Sequence, residues 1–119
     1  MAKGKRLTNI REEERGVILT DRKNALFSIC FSFKLENNYG VDRLTKDHLK
    51  QFQRFLDTYL QQPISLVDCN CIRKPDREDK YKDRQVQHYE VGRKFRIHGI
   101  YIGSVFHVIR LDPEHEFHK

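Results

Sequence analysis

A chain of 119 residues is long enough for one hydrophobic core of the commonest domain size. With 38% apolar and 34% charged residues it is polar for a globular domain, yet eight Phe and five Tyr exclude wholesale disorder. The net charge of +6 points to phosphate-rich partners, and no stretch approaches the ~20 apolar residues that a membrane-crossing helix needs.

Residues 1–24 carry seven positive and four negative charges among few apolar positions. They are expected as a polar, basic, partly ordered arm ahead of a single α+β domain over residues 25–119. The opening MAKGKRLTNIREEER has positive charge but no apolar h-region, so no secretory signal is expected. From Ala25 to Leu35 the pattern changes. Phe27, Ile29, Phe31, Phe33 and Leu35 alternate with Ser28, Cys30, Ser32 and Lys34, the period of a half-buried strand. Glu36-Asn37-Asn38-Tyr39-Gly40 then supplies turn chemistry. Residues 44–60 predict a helix, because Leu49, Phe52, Phe55, Leu56, Tyr59 and Leu60 recur at three- and four-residue steps. Thr45 can cap it, Asp47 suits its first turn, and Pro63 prevents its continuation. The stripe is expected to pack on the face carrying Phe27, Phe31 and Phe33.

Ile64 to Ile72, ISLVDCNCI, fits neither period cleanly and reads as a second strand. RKPDREDKYKDRQ, residues 73–85, is nearly all charged and reads as an exposed loop; Val86 to Val91 reads as a short strand. The clearest supersecondary signal is KFRIHGIYIG-SVFHVIRLDP, two β-type runs flanking Gly103-Ser104, which suits a type II′ hairpin turn. Asp112-Pro113 ends the second run. The expected fold is α+β: a single antiparallel sheet of four or five strands, with one main helix packed on one face.

That turn sets a register in which Ile102 faces Val105, Ile100 faces His107, His98 faces Ile109 and Arg96 faces Leu111. Arg96, His98 and His107 then share one face, with the histidines diagonal and within reach of each other. Two histidines and an arginine can run acid–base chemistry on a phosphodiester; the same pattern also covers the edge of many cores. The basic excess of residues 73–96 nominates Lys80, Lys82, Arg84, Arg93, Lys94 and Arg96 for phosphate contacts. Tyr81, Tyr89 and Tyr101 lie among them for stacking on RNA bases. Cys30, Cys69 and Cys71 are odd in number and lack the spacing of a four-ligand zinc site, so reduced thiols and a cytoplasmic location are expected. Asp112, His115 and His118 stand at three-residue steps that a metal could use on a helix, but a solvated tail explains them better. No metal and no cofactor are expected.

Two resemblances follow from these segments. LFSICFSFKL, a helix, then KFRIHGIYIGSVFHVIRLDPEHEFHK resembles small uncharacterised proteins of bacterial mobile elements over residues 25–119, most specifically in FRIHG and VIRLDPEH. It implies a bacterial or phage setting and no particular chemistry. YEVGRKFRIHGIYIGSVFHVIRL is similar in layout to RelE-type RNase toxins, which would put Arg96, His98, Arg110 and His115 near the site. That family has two helices after its first strand, where one is evident here, and its basic catalytic set is not matched residue by residue.

The leading expectation is a small, basic, non-enzymatic module binding RNA or DNA, or a nucleoprotein complex, through residues 1–24 and 73–96. One alternative is a ribonuclease using His98, His107 and Arg96. The other is a protein–protein adaptor or homodimer working through an exposed sheet edge. No membrane partner is expected.

Overall fold

A computed structural model describes residues 24–73 and 78–117. The basic arm expected over residues 1–24 falls almost wholly outside these, as does His118 of the tail. Five strands form the main sheet: β1 (Ile29–Cys30), β2 (Ile72–Arg73), β5 (Gln87–Glu90), β6 (Arg96–Ile102) and β7 (Val105–Asp112). Their order is β1-β7-β6-β5-β2. A separate two-stranded ribbon joins β3 (Lys80–Tyr81) to β4 (Arg84–Gln85). Helices α1 (Lys46–Tyr59) and α2 (Ile64–Cys71) lie between β1 and β2 in the chain. Among the described residues no helix is long and apolar enough to cross a membrane.

The sheet is mixed rather than antiparallel, because β1 runs parallel to β7. The expected long strand over 25–35 shrinks to two residues for a physical reason. Its start bonds elsewhere: Phe27 N–H donates to the Gln62 carbonyl at 2.7 Å, and Ile64 N–H donates to the Ala25 carbonyl at 2.9 Å. Its end crosses to the other face of the sheet. The period-two pattern therefore splits. Phe27 joins the helix-side core, Phe31 is 48% exposed, and Phe33 packs on the opposite face.

Helix α1 forms where its apolar stripe predicts. Its first turn carries a reciprocal cap, in which Thr45 Oγ1 accepts from His48 N–H at 3.2 Å while His48 Nδ1 accepts from Thr45 N–H at 3.0 Å. Leu49, counted in the stripe, is 48% exposed. The segment ISLVDCNC is a helix, not a strand. Its buried residues are Ile64, Val67 and Cys71, spaced three and four apart, so the helical period holds despite β-type composition. Pro63 precedes its first turn, where a missing N–H costs nothing. Two helices thus follow the first strand.

Both helices cover one face of the sheet, burying Phe55, Ile64, Val67 and Cys71 against Phe27, Tyr89, Ile97, Phe106, Val108 and Leu111. On the other face a smaller cluster of Val86, Ile100 and Ile109 lies under Phe33 and Tyr81. The β6–β7 hairpin turns at Gly103, φ +64°, as a type II′ turn requires of its first central residue. Pairing holds as expected from Ile102↔Val105 to Ile100↔His107, and Gly99 faces Val108. Then β7 bulges. Ile109 is the extra residue, so His98 faces Arg110 rather than Ile109, and Arg96 faces Asp112 rather than Leu111. Arg110 consequently leaves the helix-side face on which the regular register puts it, and Leu111 takes its place in that core.

Candidate nucleic-acid interface

The bulge delivers Arg110 into a buried polar network on the face away from the helices. Its guanidinium grips Asp79 by two bonds, Nη1 to Oδ2 at 3.0 Å and Nη2 to Oδ1 at 2.6 Å, and Nε donates to Glu36 Oε1 at 2.7 Å. Nη1 also lies 2.8 Å from His98 Nδ1. An arginine can only donate, so that His98 nitrogen is the acceptor. His88 Nε2 bonds Asp79 Oδ2 at 2.6 Å, and the His88 and His98 rings stack at 3.9 Å. Phe117 closes the top, its ring 3.7 Å from the Arg110 guanidinium. The Asp112 carboxylate fixes Phe117 by accepting from the Glu116 and Phe117 N–H groups at 2.8 and 2.9 Å.

Burial alone would push the Asp79 carboxyl up, but hydrogen bonds from Arg110 and His88 outweigh it and hold the carboxyl below its ordinary range. Burial alone would likewise lower Arg110, and its bonds to Asp79 and Glu36 raise it instead. The donor atoms of Asp79, His88 and His98 lie within 4.8 Å of one another, a spacing a metal ion could use. They do not fit one, because the Arg110 guanidinium sits against both Asp79 and His98 where a cation would bind. The network's role is to lock the segment leading into β3 onto the sheet. Asp79 is the residue the sequence hid, one carboxylate in a run of alternating charge with no pattern marking it as buried.

Arg96, His98 and His107 do share one face, but the structure gives each its own partners. His98 is wholly buried in the network. Arg96 is 7% exposed, and its Nη1 donates to the carbonyls of Gly92, Arg93 and Phe95. His107 bonds Ser32 Oγ at 2.6 Å through Nδ1 and stacks obliquely on Phe33. The inserted Ile109 puts Arg110, not His107, beside His98. Of the six predicted phosphate-binding residues, Lys80, Lys82, Arg84, Arg93 and Lys94 are exposed, and Arg96 is the buried exception. Tyr89 is wholly buried and Tyr101 nearly so, which removes both from stacking. The expected exposed loop over 73–85 contains the β3–β4 ribbon and the buried Asp79.

The exposed cations divide between the two ends of the sheet. Arg93 and Lys94 occupy the β5–β6 turn. Lys80, Lys82 and Arg84 sit on the ribbon, which Arg84 ties to the other end of β6 by donating to the Tyr101 carbonyl at 3.1 Å. There the Phe33 and Tyr81 rings lie 5.4 Å apart, and Lys82 Nζ stands 5.5 Å from one and 5.7 Å from the other. Exposed Phe31 and Lys34 flank Phe33 in the chain. Lys82 and Asp83 both adopt positive φ, +50° and +64°, as a two-residue type I′ turn demands. Asp tolerates that region, but Lys is strained there. Phe33 joined the patch without a sequence signal, since its alternation with Phe27 and Phe31 assigned it to the helix-side core. Compared with protein-family models, curated proteins and solved structures, the chain matches none of them.

Proposed function

We propose that the chain is a nucleic-acid-binding module that takes single-stranded RNA across the β3–β4 ribbon. The observation that carries this reading is Lys82, held in a strained backbone conformation beside the Phe33 and Tyr81 rings. Strain of this kind persists where the surrounding structure enforces it, and it concentrates at functional sites. Aromatic faces next to exposed cations are what a flexible strand needs. Bases stack on rings whatever their identity, while Lys80, Lys82, Arg84 and Lys34 meet phosphates. In the bacterial or phage setting implied by the FRIHG and VIRLDPEH resemblance, such a module would act on transcripts or nucleoprotein complexes. A non-catalytic role fits the separate placement of His98, His107 and Arg96.

The test is fluorescence anisotropy of a labelled single-stranded RNA against salt concentration. The wild type is expected to bind at low salt, with affinity falling linearly on logarithmic axes. The triple variant Lys80→Ala, Lys82→Ala, Arg84→Ala should reduce that slope by about 2, from roughly 0.7 per lost phosphate contact on a single strand. Wild-type protein that does not bind at low salt, or a triple variant with unchanged slope, would overturn the proposal.

A further inference from the structure

Asp79, whose carboxylate Arg110 and His88 grip, also closes the base of the β3–β4 ribbon. Its backbone carbonyl accepts from Val86 N–H at 3.0 Å and from Gln85 Nε2 at 3.1 Å. One residue thus ties the two ends of segment 79–86 to each other and pins both to the sheet through its side chain. Elsewhere the ribbon rests on the Arg84 bond to the Tyr101 carbonyl and on Tyr81 packed against Phe33.

The pin requires a neutral His98. Its Nδ1 lies 2.8 Å from Arg110 Nη1, which can only donate, so that nitrogen carries no proton while the pin is in place. A proton there would set N–H against N–H and put a charge on a wholly buried ring. The surrounding groups do not relieve that cost. From β7 comes the Arg110 cation itself, and from β5 the His88 ring, stacked at 3.9 Å. The carboxylates of Asp79, ahead of β3, and of Glu36, beyond β1, are engaged by Arg110 and His88. Arg96, two residues back on β6, faces Asp112 across the hairpin. The C-terminal segment contributes only the uncharged Phe117 ring, 5.4 Å away.

We infer that His98 makes this network an acid-released latch, in which protonation of Nδ1 frees segment 79–86 while the helix-side core stays folded. The sign follows from where the proton can bind. Shut, the latch has no place for it; open, an ordinary imidazole takes it up below about pH 6.5. Closure is therefore complete above that pH and weakens as pH falls through it, about tenfold per pH unit for each proton gained. Asp79 adds its own loss only below about pH 4. Taken with RNA binding by the ribbon, on which this consequence rests, acid would release the strand, although added positive charge alone favours binding.

Hydrogen exchange of the Val86 amide, which donates to the Asp79 carbonyl, reads the latch without RNA. Corrected for the intrinsic pH dependence of exchange, its opening constant should rise at least about tenfold from about pH 5.5 to about 4.5. The amides of Ile97 and Val108, in the helix-side core, should not follow. His98→Asn keeps an acceptor opposite Arg110 but takes up no proton in this range, so it should cut the rise about tenfold. A flat wild-type profile overturns the inference whatever the variant does. So does an undiminished rise in His98→Asn, or parallel opening of Ile97 and Val108, which would be global unfolding. Anisotropy alongside keeps the two proposals apart: RNA that stays unbound even at neutral pH overturns the RNA reading, and the exchange profiles still decide the latch.

Discussion

On the proposed RNA-binding reading, Lys82 sets stability against function. Its φ of +50° costs an ordinary residue about 1–2 kcal/mol, whereas asparagine visits that region readily. Lys82→Asn is therefore expected to raise stability by up to about 1 kcal/mol in denaturant titration while weakening RNA binding. A variant that loses both, or gains both, would contradict the assignment. Asp79 makes the opposite case, since its carboxylate is the partner that justifies burying Arg110. Asp79→Ala should cost about 3–5 kcal/mol, because it strands a buried guanidinium rather than merely deleting a bond. The sign of the pH dependence follows from its depressed pKa. The folded state holds the Asp79 proton less tightly than the unfolded chain does, so its contribution is fully present above about pH 4, the unfolded value. It is lost as pH falls below that. Acid titrations of stability should show this loss in the wild type, and Asp79→Asn should lack that part of it.

At the level of elements, β7 carries the most information per residue. Its bulge reverses the inside–outside assignment of Arg110 and Leu111, and the Glu36 N–H donates to the carbonyl of the inserted Ile109 at 3.0 Å. Opposite it, Gly99 is required by space. A Cβ there would come within 2.3 Å of the His107 carbonyl oxygen and 2.7 Å of Phe106. Gly99→Ala is accordingly expected to lose about 1–3 kcal/mol through overpacking, visible as a lowered melting midpoint. The α1 stripe, the hairpin and its glycine turn were legible because local pattern and tertiary packing agree in them. The bulge was not legible, because an alternating sequence contains nothing that marks where one residue is to be skipped. Helix α2 reads as a strand because its composition is strand-like, and only burial against Tyr89 and Phe27 separates Ile64, Val67 and Cys71, at three-and-four spacing, from exposed Leu66 and Ile72. Segment 25–35 failed for a related reason. Its alternation is real, but Phe27 and Phe33 serve different cores.

For the whole molecule, the separation of charges matters more than their sum. The ribbon cations and the Arg93–Lys94 pair lie at opposite ends of β6, roughly 20 Å apart by strand geometry. The net charge of +6 indicated attraction to phosphate but could not divide it into two clusters. The exposed cations were readable from composition, whereas the rings beside Lys82 depend on contacts between distant segments. The two clusters should respond independently to substitution. Adding Arg93→Ala and Lys94→Ala to the ribbon triple variant should change RNA affinity by the sum of the separate effects within about 0.5 kcal/mol.

The sheet is bounded on both sides by its shortest members, β1 and β2, each two residues long. Unpaired backbone at a sheet margin is what lets one chain recruit another by strand addition, and stubs of two residues offer almost none of it. Polymerisation through the backbone is thereby blunted at both margins, and concentrated protein is expected to stay free of cross-β fibrils in dye-binding assays. An adaptor working by edge pairing would need a longer margin than the two-residue stubs seen among the described residues.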